Sequence, residues 1–346
     1  MGFLQRLIGR FSRQFSRDIA MDLGTANTLL YTKRDGIVVN EPSVVDIDVR
    51  TNEVLAIGTR AKSSRGRTPA RIRNVRPLRD GVIADFDVTT KMIVHFIHKA
   101  IGASHLFKPS MVISVPTCIT QVEKKAVIDA AHTAGAGTVS LIEEPMASAI
   151  GAGLPIHEPQ GSLVLDIGGG TSEVVVITMS AITVAQSLRL AGDAMNEAIQ
   201  AALRKEYRLD VGENTAEQIK INIGSAVDVP GLRPMQVSGM DVALGRPSSM
   251  EVSPEFVRRT LNGTVEAIGM AVLRTLEATP PALAADIYDS GLLLAGGGSL
   301  LRGLDTYLAR CTGLEVHIDT APLTTVLRGA ARAMQDRTAF KDVFIN

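Results

Sequence analysis

Two short stretches of the chain combine residue types that suit phosphate chemistry. Asp22-Leu23-Gly24-Thr25-Ala26-Asn27-Thr28 and Asp166-Ile167-Gly168-Gly169-Gly170-Thr171-Ser172 each open with a carboxylate and run into small residues. Consecutive backbone N–H groups in a Gly/Thr-rich turn form a concave anion site, and glycine lets the backbone close on a phosphate. Asp22 and Asp166, at the turn starts, suit the hydration shell of Mg²⁺, which keeps most of its waters and prefers oxygen ligands. Two such turns facing each other would clamp a polyphosphate from both sides. A single Asp-x-Gly-Thr is more often a plain hairpin turn, so the duplication carries the weight. Gly296-Gly297-Gly298 could aim a helix N-terminus at a ligand, or could be a tight turn that needs glycine for positive φ. Glu143-Glu144-Pro145 opens a helix of small residues: both glutamates could cap it, or one could orient a water for attack on a terminal phosphate.

Other phosphate-binding patterns are missing. No G-x-x-x-x-G-K-[ST] occurs and no G-x-G-x-x-G follows the first strand, which argues against P-loop and Rossmann sites. His95 and His98 stand i,i+3 with no carboxylate or cysteine cluster to complete a metal site, and a half-wet helix face explains them. Cys118 and Cys311 are the only cysteines, so there is no disulfide framework; the count suits a reducing cytosol, and Cys118 lacks a histidine partner for thiol catalysis.

The elements that must position these residues can be read along the chain. Ile19-Ala20-Met21 and the run through Tyr31 are strands around the first turn; Leu163-Val164-Leu165 and a Val/Ile run flank the second. The two aspartates are 144 positions apart (22 and 166), too far for a solenoid period and right for a duplicated domain. Between the copies the pattern predicts a helix over Val88–Ile101, a buried strand over Met111–Val115 and a helix over Gln121–Ala134 closed by Gly135. After the second copy it predicts helices over Asp193–Tyr207 and Ala216–Ile223, and short strands and turns over residues 228–250. A long helix over Ser253–Glu277 follows, with Ser253 as cap and Pro254 first. Leu292–Leu294 is a strand running into the three glycines, with a helix from Leu300 to Cys311. Alternating strands and helices specify an α/β architecture, and 346 residues favour two lobes.

Charge is balanced, with Lys+Arg and Asp+Glu at 36 each, so bulk charge marks no nucleic-acid binder. The 45% hydrophobic content excludes a disordered chain. The longest uncharged stretch, Val174–Leu188, is too short and too rich in Ser and Thr to span a bilayer, which takes about twenty apolar residues. Residues 1–17 hold Arg6, Arg10, Arg13 and Arg17 and no acid, with Phe3, Leu4, Leu7, Ile8, Phe11 and Phe15 forming a stripe at helical spacing. A helix lying in a membrane surface, an organelle transit peptide and an unstructured tail all fit that pattern. Arg60 to Arg79 holds eight Lys/Arg and no acid; a solvated face explains it best, with a phosphate- or lipid-binding role as the rival.

Asp22–Thr28, Glu143–Ala149, Asp166–Thr171 and Gly296–Ser299 resemble, in that order, the phosphate-one, connecting, phosphate-two and adenosine motifs of the actin-like ATPase superfamily. From Ile19 to about Ala333 the chain is similar to the MreB family of bacterial cell-shape proteins. Asn40-Glu41-Pro42-Ser43, Arg76-Pro77-Leu78-Arg79-Asp80-Gly81 and Thr279-Pro280-Pro281 add to the likeness. The resemblance implies an actin-like, duplicated ribonuclease H-like α/β fold of two lobes with nucleotide in the interlobe cleft. Lobe one would take residues 18–150 and 322–346 with a small insertion at about 34–76, and lobe two residues 151–321 with an insertion at about 190–250. ATP with Mg²⁺ is the implied ligand, GTP the other candidate. Asp22 and Asp166 would hold the metal through water. Gly24, Thr25, Ala26 and Asn27, with Gly168, Gly169 and Gly170, would supply phosphate donors. Glu144 would polarise the attacking water, helped by Thr171. The nucleoside would lie between Glu217-Gln218-Ile219-Lys220, otherwise an ordinary i,i+3 helical pair, and Gly296-Gly297-Gly298-Ser299.

The resemblance also favours the surface-helix reading of residues 1–17, and lipid insertion of Leu106-Phe107, a pair that a structural reading alone would tuck into the core. It implies a cytoplasmic protein on the inner face of the cell membrane that polymerises with itself, as paired protofilaments, and works with RodZ-, MreC- and MreD-like wall-synthesis proteins. Two departures stand out: Asn196 where the family has Asp, and Ala330-Ala331 in place of a more Gly-rich stretch. Neither touches the expected metal or water residues, so hydrolysis should survive. A small-molecule (sugar-type) kinase on the same fold is the rival function, and it has no need of an amphipathic N-terminus. A heat-shock-type chaperone would need a substrate-binding region after the ATPase lobes, and only about a dozen residues follow Ala333.

Overall fold

The computed structural model describes residues 18–102 and 108–345. The segment 1–17 and the pair Leu106-Phe107, and with them every expected membrane residue, lie outside the described residues. The chain forms two compact units. The first takes residues up to Ser64, Thr68–Leu154 and the chain from Thr324 onward; the second takes Pro155–Leu323 with Arg65–Arg67.

In the first unit, β1 (Ile19–Leu23), β2 (Asn27–Thr32) and β3 (Gly36–Pro42) form consecutive hairpins. A three-stranded sheet follows, of β4 (Val45–Asp48), β5 (Val54–Ile57) and β6 (Ile72–Val75), with helix α1 (Thr59–Ser64) after β5. A short ribbon of β7 (Leu78–Arg79) and β8 (Val82–Ile83) leads to α2 (Phe86–Ile101), which Asp85 caps by accepting from the Val88 N–H. Next come β9 (Ser110–Val115), α3 (Gln121–Thr133) with a reciprocal Thr120/Glu123 capping box, β10 (Thr138–Glu143) and α4 (Glu144–Ala152). The main sheet runs β10-β9-β1-β2-β3, with β1, β9 and β10 parallel. Ile19, Ala20 and Met21 are all buried, as are Met111, Val112 and Ile113: uninterrupted apolar runs belong in strands covered on both faces.

The second unit repeats this plan. Strands β11 (Ser162–Ile167), β12 (Ser172–Thr178) and β13 (Ala181–Leu188) form consecutive hairpins. After them come α5 (Gly192–Tyr207), β14 (Leu209–Asp210), α6 (Glu213–Ile223), and the hairpin of β15 (Met235–Asp241) with β16 (Arg246–Val252). Helix α7 (Pro254–Glu277), capped by Ser253, and α8 (Pro281–Ser290) precede β17 (Leu292–Ala295), α9 (Leu304–Thr312) and β18 (Val316–Ile318). The sheet runs β13-β12-β11-β17-β18, with β11, β17 and β18 parallel. Strand order and sense therefore match the first unit position for position, and the duplication seen in the aspartate turns extends to the whole sheet.

Three boundaries differ from the sequence reading. Helix α6 starts at Glu213, one turn before Ala216, because Gly212 provides the extended N-cap and Glu213 suits the positive helix end. The glycines pass into a 3₁₀ turn over Gly297–Leu300, and α9 begins only at Leu304, because Gly303 takes a left-handed φ of 71° between them. Residues 235–252 form one full hairpin of seven-residue strands rather than short pieces.

The chain returns to the first unit through α10 (Thr325–Gln335), which lies on α4. A Cβ at Gly151 would run into the Thr325 carbonyl, and one at Gly329 into the Ala147 carbonyl, so both glycines are needed for backbone contact between the helices. Ala330 and Ala331 are buried beside that contact, where a methyl group fits. Phe344 then bridges to Ile142 and the Ile345 N–H donates to the Leu141 carbonyl, covering the outer edge of β10.

Candidate functional site

In the first unit the turn between β1 and β2 has its carbonyls occupied and its donors open. The Gly24 carbonyl accepts from the Ser43 hydroxyl at 2.6 Å, the Ala26 carbonyl from the Ser43 N–H at 3.0 Å, and the Thr25 carbonyl from Arg76 at 3.5 Å. The Thr25 hydroxyl accepts from the Gly81 N–H at 2.9 Å. The N–H groups of Thr25 and Ala26 make no backbone hydrogen bond among the described residues. Asp22 is the fourth residue of β1, and its Oδ1 accepts from the Ser114 hydroxyl of β9 at 2.9 Å. Register places Asp22 opposite Ser114, and Ser114 opposite Ile142. Asp22, Ser114 and the start of α4 at Glu144 therefore line the carboxyl ends of three adjacent parallel strands, the edge where α/β sheets bind ligands.

Glu143 and Glu144 part company at that edge. Glu143 is the N-cap of α4 but makes no side-chain capping bond, and burial raises its carboxyl above the ordinary range, against a smaller lowering by Lys124. Glu144 is the first helical residue, followed by Pro145, and is half-buried.

The second unit builds the matching turn. Gly168 N–H donates to the Thr171 carbonyl at 2.8 Å; the Gly168 and Gly169 carbonyls accept from the first N–H groups of α5, Gly192 at 3.2 Å and Asp193 at 2.8 Å. The N–H groups of Gly169 and Gly170 make no backbone hydrogen bond among the described residues. Asp166, next to last in β11 as Asp22 is in β1, is 4% exposed, and Thr171 is buried beside it in sequence. The Asp166 carboxylate lies against Gly296: a Cβ there would come within 2.6 Å of Oδ1, and Gly296 also has a φ of +76°, so glycine is required twice over. A Cβ at Gly298 would collide with Ile167, and the Ser299 hydroxyl donates to the Gly296 carbonyl at 2.7 Å. Lys220 of α6 donates to the Gly192 carbonyl at 2.7 Å. The turn after β11, the start of α5, Lys220 and the glycine turn are thus brought together. Within Glu217-Gln218-Ile219-Lys220, Ile219 points into the core at 0% exposure and Gln218 is exposed, so Ile219 anchors the helix.

Reading the sequence alone missed Ser114 as a partner of Asp22, Ser43 as the clasp of the first turn, and the Gly192 carbonyl as the target of Lys220. Ser114 had a faint signal: it is the hydroxyl inside the otherwise apolar run Met111-Val112-Ile113-Ser114-Val115. Asn196 is 4% exposed in α5 with an Oδ1 that has no hydrogen-bond partner among the described residues.

Among the described residues no group of three or more His, Cys, Asp or Glu could hold a metal ion by itself. Asp22 and Asp166 are hard oxygen donors that fit a hydrated Mg²⁺ carried by phosphates rather than a bare ion in a protein cage. Among the described residues no helix is long and apolar enough to cross a membrane.

A sequence model of the MreB/Mbl protein family matches residues 16–342. The cell shape-determining protein MreB of Escherichia coli K12 is 45% identical over 335 residues, covering 95% of this chain and 96% of that protein. The cell shape-determining protein Mbl of Bacillus subtilis is 44% identical over 315 residues, covering 91% and 95%. Among solved structures, MreB5 of Spiroplasma citri bound to ADP superposes with a TM-score of 0.89 at 35% identity, covering 95% of this chain and 98% of that one. A MamK double helical filament superposes with a TM-score of 0.78 at 22% identity, a likeness of fold.

Proposed function

The chain belongs to the MreB/Mbl protein family, and on that premise we propose that it is an ATP-dependent, membrane-associated, filament-forming cytoskeletal protein that determines rod shape by organising wall synthesis. Its fold is actin-like. The observation that carries the reading is the pair of equivalent turns: beside Asp22 and beside Asp166, carbonyls are taken up by neighbours and the N–H groups of Thr25, Ala26, Gly169 and Gly170 are left open. Such donors bind anions, and a nucleotide polyphosphate is the anion that two of them suit. Nucleotide binding in relatives supports it: MreB5 of Spiroplasma citri is solved with ADP and with AMPPNP. Their curated names and near-complete coverage do not favour a sugar-type kinase.

On this reading the two turns act on one nucleotide, the backbone donors orienting its phosphates, and Asp22 and Asp166 are the residues that would hold a hydrated Mg²⁺. Mg²⁺, when bound, neutralises phosphate charge. Glu144 accepts a hydrogen bond from the attacking water at its carboxylate and aligns it, with the Thr171 hydroxyl as a second acceptor. The turnover is slow and serves polymer dynamics. Filaments lie on the inner face of the cell membrane through residues 1–17 and Leu106-Phe107, where RodZ-, MreC- and MreD-like proteins meet them. Sedimentation with ATP or ADP, with and without anionic vesicles, tests the reading. Pelleting that needs ATP and increases with vesicles is expected; the same pelleting with ADP, ATP or no nucleotide would contradict it.

A further inference from the structure

Helix α4 carries Glu144 as its first residue and runs nine residues to Ala152, with Gly153 as a left-handed cap. Its last turn contains no basic residue, so nothing on the helix itself complements the negative end of its dipole. That charge comes from α10 instead. Arg332 reaches across and donates from Nη1 to the Ile150 carbonyl at 2.6 Å. The same nitrogen sits beside Gly153, where a Cβ would stand 3.8 Å from it.

The two helices have few other means of locking to one another where they cross. Gly151 faces the Thr325 carbonyl and Gly329 faces the Ala147 carbonyl, closer than any Cβ would allow. Backbone lies on backbone there, and glycine has no side chain to interdigitate and resist sliding. Arg332 supplies a directional, charge-assisted link across that contact. Helix α10 is itself well held. It packs on β1, the strand of Asp22, and on β2 and β9. Gln335 donates to the Tyr31 hydroxyl of β2 at 2.9 Å. Arg337, just past the helix, donates to the hydroxyls of Ser140 on β10 at 3.0 Å and Ser110 on β9 at 2.9 Å. The far end of α4 is thereby tied, through Arg332, to the sheet that carries Asp22 and the first turn.

We propose that Arg332 is a positioning residue for hydrolysis: by holding the C-terminal end of α4 it aims Glu144 at the other end. Its role there depends on the water-orienting part proposed above for Glu144. Nine residues make a lever of about 13 Å at the rise of an α-helix. A tilt of about 5° at the held end moves Glu144 by about 1 Å, a misplacement that can cost about a hundredfold in rate. Arg332 touches neither nucleotide nor water in this role, so binding is spared while turnover is not.

The test compares the full chain as wild type, Arg332→Met, Glu144→Ala and the double variant, by ATP titration and single-turnover phosphate release. Arg332 is exposed, so Arg332→Met keeps the stem, loses the head and opens no cavity. It should slow hydrolysis by about tenfold or more, with the ATP Kd within about twofold of wild type. In the Glu144→Ala background the same substitution should slow hydrolysis no further, because no carboxylate is left to aim. A wild-type rate in Arg332→Met, a loss of affinity as large as the loss of rate, or an undiminished effect in the Glu144→Ala background would each overturn the assignment. If Glu144→Ala is slow and Arg332→Met is not, only the role of Arg332 falls. If Glu144→Ala itself turns over at the wild-type rate, the water-orienting reading falls and the aiming role with it.

Discussion

Glu143 and Glu144 are neighbours in sequence with opposite assignments. Glu144 follows β10 at the carboxyl edge of the sheet that carries Asp22; in its proposed role of orienting the attacking water, Glu144→Ala should leave nucleotide affinity near wild type and slow hydrolysis by about a hundredfold or more. Phosphate release and nucleotide titration on the same preparation check this; equal hydrolysis rates would remove Glu144 from catalysis. Glu143 is held above its ordinary pKa of 4.5 by burial, so its ionised form opposes folding. Below about pH 4.5 the group is protonated folded or unfolded, and Glu143→Gln should then be neutral. As pH rises toward 7 the wild-type carboxyl is forced to ionise, and the variant should gain in melting temperature. A variant less stable at pH 7 than wild type would show that the carboxylate is engaged, not merely buried. At this scale the aspartates and glycines were legible because their types are unusual at strand ends. Ser43 and Ser114 were not, since a serine that reaches across a sheet has no local signature.

Among the elements, the first unit is tied together at Glu41. Its carboxylate, on β3, accepts from the Thr59 N–H and hydroxyl at the start of α1 and pairs with Lys99 near the end of α2. Burial acts to raise this carboxyl, but Lys99 and Thr59 together outweigh burial and hold it at about 2, well below its ordinary 4.5. The depressed value means that the strut stabilises the fold fully above about pH 4.5 and is lost as pH falls through about 2. Glu41→Gln should therefore melt earlier than wild type at neutral pH, with the gap closing between pH 4.5 and 2; a constant gap would assign the loss to packing. Elements with local stop and start signals were legible: Ser253 and Pro254 for α7, Gly135 after α3. The starts of α6 and α9 were not, because each is set by the backbone conformation of a single preceding glycine, Gly212 and Gly303. The approach of α10 to α4 is also invisible locally, being a property of two segments far apart in the chain.

For the molecule as a whole, the two sheets of identical order are the structural form of the repeat first seen in two seven-residue stretches. The repeat was readable because both turns draw on the same few residue types, Asp, Gly and Thr; the strands around them share only apolar character. Membrane attachment belongs at this scale too. Each arginine near an anionic surface contributes about 1 kcal/mol, and each buried Leu or Phe roughly 1.5–3 before ordering costs. Forming an isolated helix of that length is itself unfavourable, so on the proposed reading one copy of residues 1–17 would bind weakly and a filament would multiply it. Polymerisation and membrane binding should therefore favour each other. Anionic vesicles are expected to lower the critical concentration, and removal of residues 1–17 to abolish most of that effect; a critical concentration indifferent to vesicles would refute the coupling.

The most direct measurement is a calorimetric titration of Mg-ATP into wild type, Asp22→Ala and Asp166→Ala. One nucleotide per chain is expected, with each single substitution weakening binding by about tenfold or more and reducing its dependence on Mg²⁺. Two nucleotides per chain, or wild-type affinity in either variant, would mean that the duplicated turns do not grip one ligand.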